Sequence, residues 1–271
     1  MNYLPHHLPH PDNPPSNVVA AVGRTALRFL AATGRLSIFT FKAVSHCVRP
    51  PFYFRHLVRQ VMEIGYYSLP VVALTTLFTG MVLALQSFNG FARFQAEGSV
   101  ATVVVLSITR ELAPVMAGLM VAGRVGAAMA AEIGTMRVTE QIDALVTLST
   151  NPFKYLVAPR LIAAIVVLPI LVLIGDIIGV FGGYIIGVYT LDFNAATYLH
   201  RTWQYLEPID VISGLVKAGV FGFLIALMGC YFGYHSQRGA QGVGAATTNA
   251  VVSASIFILV SNYVLTQVFF S

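Results

Sequence analysis

Arg110 and Glu111 stand side by side in "TRELAPVMAGLMVAGRVGAAMAAEIG", residues Thr109–Gly134, a stretch otherwise almost free of charge. A guanidinium can hold a phosphate or carboxylate through two parallel hydrogen bonds, and a carboxylate can hold a cation or relay a proton. Facing lipid at mid-membrane, each would cost ~2.5 to 3.5 kcal/mol, so both require protein or a wet hollow around them. Helix neighbours point about 100° apart and cannot satisfy one another. Each therefore needs an outside partner, and Asp176, Lys217 or polar groups of a second copy are the candidates. Two roles stay open: polar glue between helices, or a cavity in which Arg110, with Lys217, meets an anionic headgroup. Asp176, beside Gly175 and near Gly179, fits capping or packing better than ligand contact. A proton or ion relay through Arg110, Glu111 and Asp176 is the rival chemistry.

The elements that position these charges follow from composition. The chain has 271 residues, 56% hydrophobic and 10% charged, with a mean hydropathy of +0.75, which excludes an ordinary soluble domain. Residues 64–92 carry no charge, more than the roughly 20 residues that cross a bilayer. Spans are predicted at about 66–88, 99–125, 161–187, 211–233 and 247–269. Arg110 and Glu111 fall near the middle of the second, Asp176 within the third and Lys217 near one end of the fourth. The expected fold is an all-α membrane protein. Gly118, Ala122, Gly126 and Ala130 form a small-residue ladder that lets helices approach closely.

Residues 1–17 form a Pro-rich tail, expected to be disordered, with none of the features of a signal peptide. His6, His7 and His10 fit that solvated tail better than a metal site. Residues 18–64 place Arg24, Arg28, Arg35 and Lys42 on one helical face, then break at Pro50 and Pro51; this segment is expected to lie in the headgroup region. Residues 65–271 form the membrane domain. Seven Lys and Arg before residue 60, with Arg137, Lys154, Arg160 and Arg238, fall on one side of a five-span topology, against Arg93 and Arg201 on the other. That bias predicts a cytoplasmic N-terminus and an external C-terminus. The excess of 16 basic over 11 acidic residues thus reflects topology and anionic lipid, with no need for nucleic acid. An odd span count without internal repeat points to a homodimer.

The inside loop after the second span, "EIGTMRVTEQIDALVTLSTNP", predicts a short amphipathic helix that lies on the membrane or docks a cytoplasmic partner. No P-loop, H-E-x-x-H, paired C-x-x-C or G-x-S-x-G occurs, so neither catalysis nor a cofactor or metal is indicated. Cys47 and Cys230 are too few for a disulfide framework, and His46, His56, His200 and His235 lie near span ends, as interfacial residues do.

The run "RELAPVMAGLMVAGRVGAAMAAEIGTMRVTEQIDAL", with "NPFKYLVAPRLIA" and "GMVLALQ" at Gly80–Gln86, closely resembles the signature of MlaE-type permeases, the membrane subunits of ABC transporters that move phospholipids. The likeness covers nearly everything after residue 18. It implies a homodimer with an interfacial N-terminal helix, five spans per chain and a cytoplasmic coupling helix between spans two and three that engages an ABC ATPase. It further implies a STAS-domain protein and a periplasmic MCE-domain carrier as partners, in the inner membrane. By the same resemblance Arg110, Glu111, Lys217 and Leu83 line the lipid cavity, and Met136, Arg137, Glu140 and Gln141 belong to the coupling helix. One position departs: Asn262 stands where relatives often carry Asp, so their ion-pair network does not transfer unchanged.

Overall fold

The computed structural model describes residues 18–48, 53–94 and 96–271. The 1–17 tail with its three histidines and the break at Pro50 and Pro51 lie outside the described residues. Eleven α-helices follow in order among the described residues: α1 (Val18–Val48), α2 (Phe54–Ile64), α3 (Leu69–Phe91), α4 (Val100–Ser107), α5 (Ala113–Val121), α6 (Ala127–Val138), α7 (Gln141–Thr147), α8 (Ala158–Tyr189), α9 (Ala195–Tyr205), α10 (Pro208–Tyr234) and α11 (Ala240–Phe270). The chain separates into two units, up to Lys42 and from Ala43 onward. In the first, Leu27, Phe29, Leu30 and Phe41 of α1 are exposed.

In the second unit, five segments are long and apolar enough to cross a membrane: Phe54–Phe91, Val100–Val138, Phe153–Tyr189, Pro208–Tyr234 and Ala240–Phe270. They match the five expected spans, with longer ends. The second span runs on to Val138, so Arg110 lies ten residues past its Val100 start, about 15 Å along it. Of the four residues assigned to the coupling helix, Met136 and Arg137 sit in the last turns of α6. Glu140 takes a left-handed turn (φ 59°), and Gln141 begins the seven-residue α7. The left-handed residue interrupts the helix, so the four residues fall on α6, the turn and α7.

Sequence reading missed α9, whose start Asn194 marks by accepting the Thr197 amide at 3.1 Å. It lies between the third and fourth spans.

Helices in lipid gain little from burying apolar surface against one another, so close backbone contact and dispersion must hold them together. This chain does so around α8 and α10, which pack on each other, with α3 on α8 and both α6 and α11 on α10. At the α3–α8 crossing a Cβ on Gly80 would overlap the Gly179 carbonyl, so only glycine permits that approach. The ladder of the second span serves the same purpose: a Cβ on Gly118 would sit 3.2 Å from Phe221, and one on Gly126 3.4 Å from Ile225.

Candidate functional site

The second span does not cross as a uniform α-helix. Wider π turns occur at Ile108–Leu112 and Ala122–Gly126, and a third opens the third span at Phe153–Val157. The first has a readable local cause. Ala113 donates its amide to Ile108 O, five residues back, and Pro114 has no amide to offer to Arg110 O. An orphaned carbonyl inside a membrane costs several kcal/mol, so something else must donate to it. Lys217 does so from α10, its Nζ 2.8 Å from Arg110 O.

The approach of α10 depends on Gly214, where a Cβ would lie 2.5 Å from the Thr109 carbonyl. Lys217 is fully buried, and its ammonium has three partners for three protons: Arg110 O, Glu111 Oε1 at 2.8 Å and Thr266 Oγ1 at 2.8 Å. Glu111 is held from α11 as well: Thr266 donates to Oε1 at 2.9 Å, and Asn262 Nδ2 to Oε2 at 2.8 Å. The position that departs from the resembling family thus contributes a neutral donor to the carboxylate.

Arg110 turns the other way. Its Nε donates to Asp210 Oδ1 at 2.7 Å, and its Cζ lies 4.4 Å from the centre of the Phe270 ring. Asp210, fully buried in the first turn of α10, also accepts the Glu207 amide on Oδ2 at 3.0 Å, completing a reciprocal cap. Two cations and two carboxylates therefore balance within one cluster built by the second, fourth and fifth spans. The side chains of Arg110 and Glu111 remain 34% and 35% exposed. Among the described residues only Nε of the Arg110 guanidinium has a hydrogen-bond partner, which leaves both Nη groups open.

The structure thus joins Arg110, Glu111 and Lys217; of the candidate partners Lys217 holds Glu111, and Arg110 is held by Asp210, which was not among them. Asp210 takes the place expected for Asp176, because the cap at Glu207–Asp210 already aims a buried carboxylate at the second span. Asp176 on α8 is 5% exposed, and neither of its carboxylate oxygens has a partner among the described residues. It borders a cavity of about 600 Å³ with Ile177, Tyr184, Tyr198 and Trp203, which also reaches Thr109 of the first π turn. Leu83 packs on a buried apolar core of Ala84, Val100, Val104, Ile108 and Ala113. Asp210 and Thr266 went unnoticed in the sequence; the only signal for Asp210 was the "EPID" pattern of a helix cap.

Arg124, on the second π turn, donates to Ser68 Oγ at 3.1 and 2.9 Å and to Glu63 O, tying the second span to the α2–α3 junction. At the base of α6, Arg137 pairs with Asp143 of α7 at 2.7 Å, both well exposed. The thiol of Cys47 is pushed up by burial, which suits an inert side chain.

Residues 57–268 match the family model described as Permease MlaE. The chain is 64% identical over 254 residues to a probable ABC transporter permease protein of Rickettsia bellii, covering 94% of this chain and 98% of that one. It is 33% identical over 259 residues to the intermembrane phospholipid transport system permease protein MlaE of Haemophilus influenzae, covering 94% and 98%. It is 35% identical over 235 residues to the chloroplastic protein TRIGALACTOSYLDIACYLGLYCEROL 1 of Arabidopsis thaliana, covering 86% and 67%. With five spans, a charged cluster in the second, and a family match running from the first span to the last, the chain belongs to the MlaE permease family.

Proposed function

We propose that this protein is the permease subunit of an ABC transporter that moves phospholipid between the inner membrane and a periplasmic MCE-domain carrier. The transport substrate follows the relative from Haemophilus influenzae, and the mechanism follows the cluster. Two copies enclose a hollow, apolar for acyl chains, with Leu83 on its wall and Arg110, Glu111 and Lys217 at its polar edge. Lys217 and Asp210 fix the two exposed charges, so Arg110 can present its Nη groups to a phosphate without unravelling the span.

The chain does no bond chemistry. A partner ATPase hydrolyses ATP and moves the α6–α7 corner, where Met136, Arg137, Glu140 and Gln141 receive the stroke. A STAS-domain protein joins the ATPase on the cytoplasmic side. The N-terminus is cytoplasmic and the C-terminus periplasmic. Residues 18–64 lie along the headgroups, and residues 65–271 form the permease domain.

The observation that carries this reading is the pair of open Nη groups on a guanidinium 34% exposed at membrane depth. Such a group facing lipid would cost ~2.5 to 3.5 kcal/mol, so a second copy or a polar ligand must cover it. The rival ion relay through Asp176 has less support, since Asp176 shares no hydrogen bond with the cluster among the described residues. The test is reconstitution with the ATPase and carrier in liposomes containing labelled phospholipid. Arg110→Ala is expected to lower transport at least tenfold while the complex still assembles. Unchanged transport would return Arg110 to a packing role, and transport driven by a pH gradient without ATPase would favour the relay.

A further inference from the structure

The segment "NPFKYLVAPRLIA" contains another π turn followed by a proline. The π turn Phe153–Val157 is followed by Ala158, which donates five residues back to Phe153 O, and by Pro159, which has no amide. A neighbouring carbonyl, Leu156 O, takes its hydrogen from Arg160 Nη1 at 2.7 Å. Arg160 is only 4% exposed; its Nη2 holds Glu132 Oε2 of α6 at 2.7 Å, and its Nε has no partner among the described residues.

A polar pocket of about 180 Å³ opens beside it, bordered by His56, Arg59, Gln60, Glu132, Tyr155 and Arg160. Glu132 is committed to Arg160, and among the described residues Arg59 has no carboxylate within 4 Å. Two guanidiniums against one carboxylate leave the pocket net positive. Next to it runs an apolar groove of about 350 Å³ that shares Pro159 and is lined by Phe54, Leu57, Ala158 and Ile162, with Lys154 also at its edge. Tyr155 stands at the border, its ring 4.5 Å from that of His56 and 5.2 Å from that of Tyr53. Aromatic rings of this kind mark the level of lipid headgroups.

A basic pocket joined to a chain-wide apolar groove, at the level of the headgroups, has the shape and charge of an amphiphile. We propose that the two form a single site for an anionic phospholipid of the adjoining leaflet, with its phosphate over Arg59 and Arg160 and one acyl chain along Leu57 and Ile162. A zwitterionic lipid brings the same phosphate with a cation attached, and so gains less from a net positive pocket. The site is distinct from the Arg110 cluster: it lies within one chain, and it does not rest on the transport reading.

Native mass spectrometry of the purified full-length protein tests it, with phosphatidylglycerol, phosphatidylcholine or glycerol 3-phosphate added. Phosphatidylglycerol is expected to be retained in preference to phosphatidylcholine, and glycerol 3-phosphate not at all. Arg59→Gln, on an exposed side chain, is expected to weaken phosphatidylglycerol about fivefold and remove the preference, while Arg59→Lys keeps most of it. Ile162→Trp, which fills the groove, is expected to weaken both lipids. Equal retention of the two lipids by the native chain, or a preference undiminished in Arg59→Gln, overturns the proposal. Retention of glycerol 3-phosphate as strong as that of phosphatidylglycerol replaces it with a soluble-anion site. Transport is not read, so failure would leave the transport proposal untouched.

Discussion

Lys217 Nζ lies 2.8 Å from the carbonyl oxygen of Arg110, the backbone group that Pro114 leaves without its helical donor. One ammonium thus repairs a break in the second span and neutralises Glu111 beside it. Lys217→Met removes both services and leaves a carboxylate at membrane depth without its cation. Breaking a buried pair in this way costs about 3 to 5 kcal/mol, and the exposure of Glu111 argues for the lower end. The change is expected to appear as a lower unfolding midpoint in detergent or nanodiscs. Adding Glu111→Gln should restore part of the loss; a double variant no better than the single would show that the charge pair is not the cause.

Asn262 makes the next prediction because it donates 2.8 Å from Glu111 Oε2. Asn262→Asp would place a second carboxylate there, in a cluster already balanced by Arg110, Lys217, Glu111 and Asp210. One of the two acids must then take up a proton or swing away. A loss of about 1 to 3 kcal/mol is expected at neutral pH, from the lost donor and the like charge. The loss should shrink as the pH is lowered and a proton joins the pair. An Asp variant with native stability from pH 5 to 8 would mean that the α11 contact is weaker than its geometry implies.

Much of this arrangement was open to sequence reasoning, and the gaps have physical causes. Five apolar runs announced the spans, and two charges that cannot face lipid announced a sheltered cluster at Arg110 and Glu111. The 100° between helical neighbours correctly required separate partners. What the pattern could not supply was length: the helical run of the second span continues to Val138, well past the apolar run. Asp176 was a candidate partner because it is the acid inside an apolar run, whereas Asp210 stood at a span edge and went unnoticed. It holds Arg110 and caps the helix, one task with each oxygen. The π turns were hidden because a proline marks a missing donor but does not say which side chain will replace it. Helix α9 was hidden because its eleven residues are too few and too polar to register as a span.

Arg124 predicts a hinge. Its guanidinium reaches Ser68 Oγ and the Glu63 carbonyl, both at the bend where α2 gives way to α3. Arg124→Ala should free that bend and leave Ser68, only 2% exposed, without its partner. The expected cost is about 1 to 3 kcal/mol. The sharper readout is local: amide exchange should rise across residues 64–69 and stay native around Lys217. Arg124→Lys keeps the charge but not the fork of donors, and should recover only part of the protection. Exchange that rises everywhere, or nowhere, would deny the arginine this particular role.

Tyr198 on α9 gives a prediction about pH. Its ring is 3% exposed, its hydroxyl has no hydrogen-bond partner among the described residues, and burial pushes its pKa up to about 12. The unfolded chain releases this proton near pH 10, whereas the folded chain keeps it until about pH 12. Between those values the folded state binds more protons than the unfolded one, so stability falls as pH rises. Below pH 10 both states are protonated and the tyrosine adds no slope. A shift of this size corresponds to roughly 2 to 3 kcal/mol across the window. Tyr198→Phe removes an unpaired hydroxyl and the titration together. It is expected to match or exceed native stability at pH 7, within about 1 kcal/mol, and to lose less stability than the native chain between pH 10 and 12. The comparison cancels the other alkaline transitions that the two proteins share. Parallel unfolding midpoints across that window would mean that the hydroxyl finds a partner or water in the membrane, and a marked loss at neutral pH would mean that it holds α9 in place.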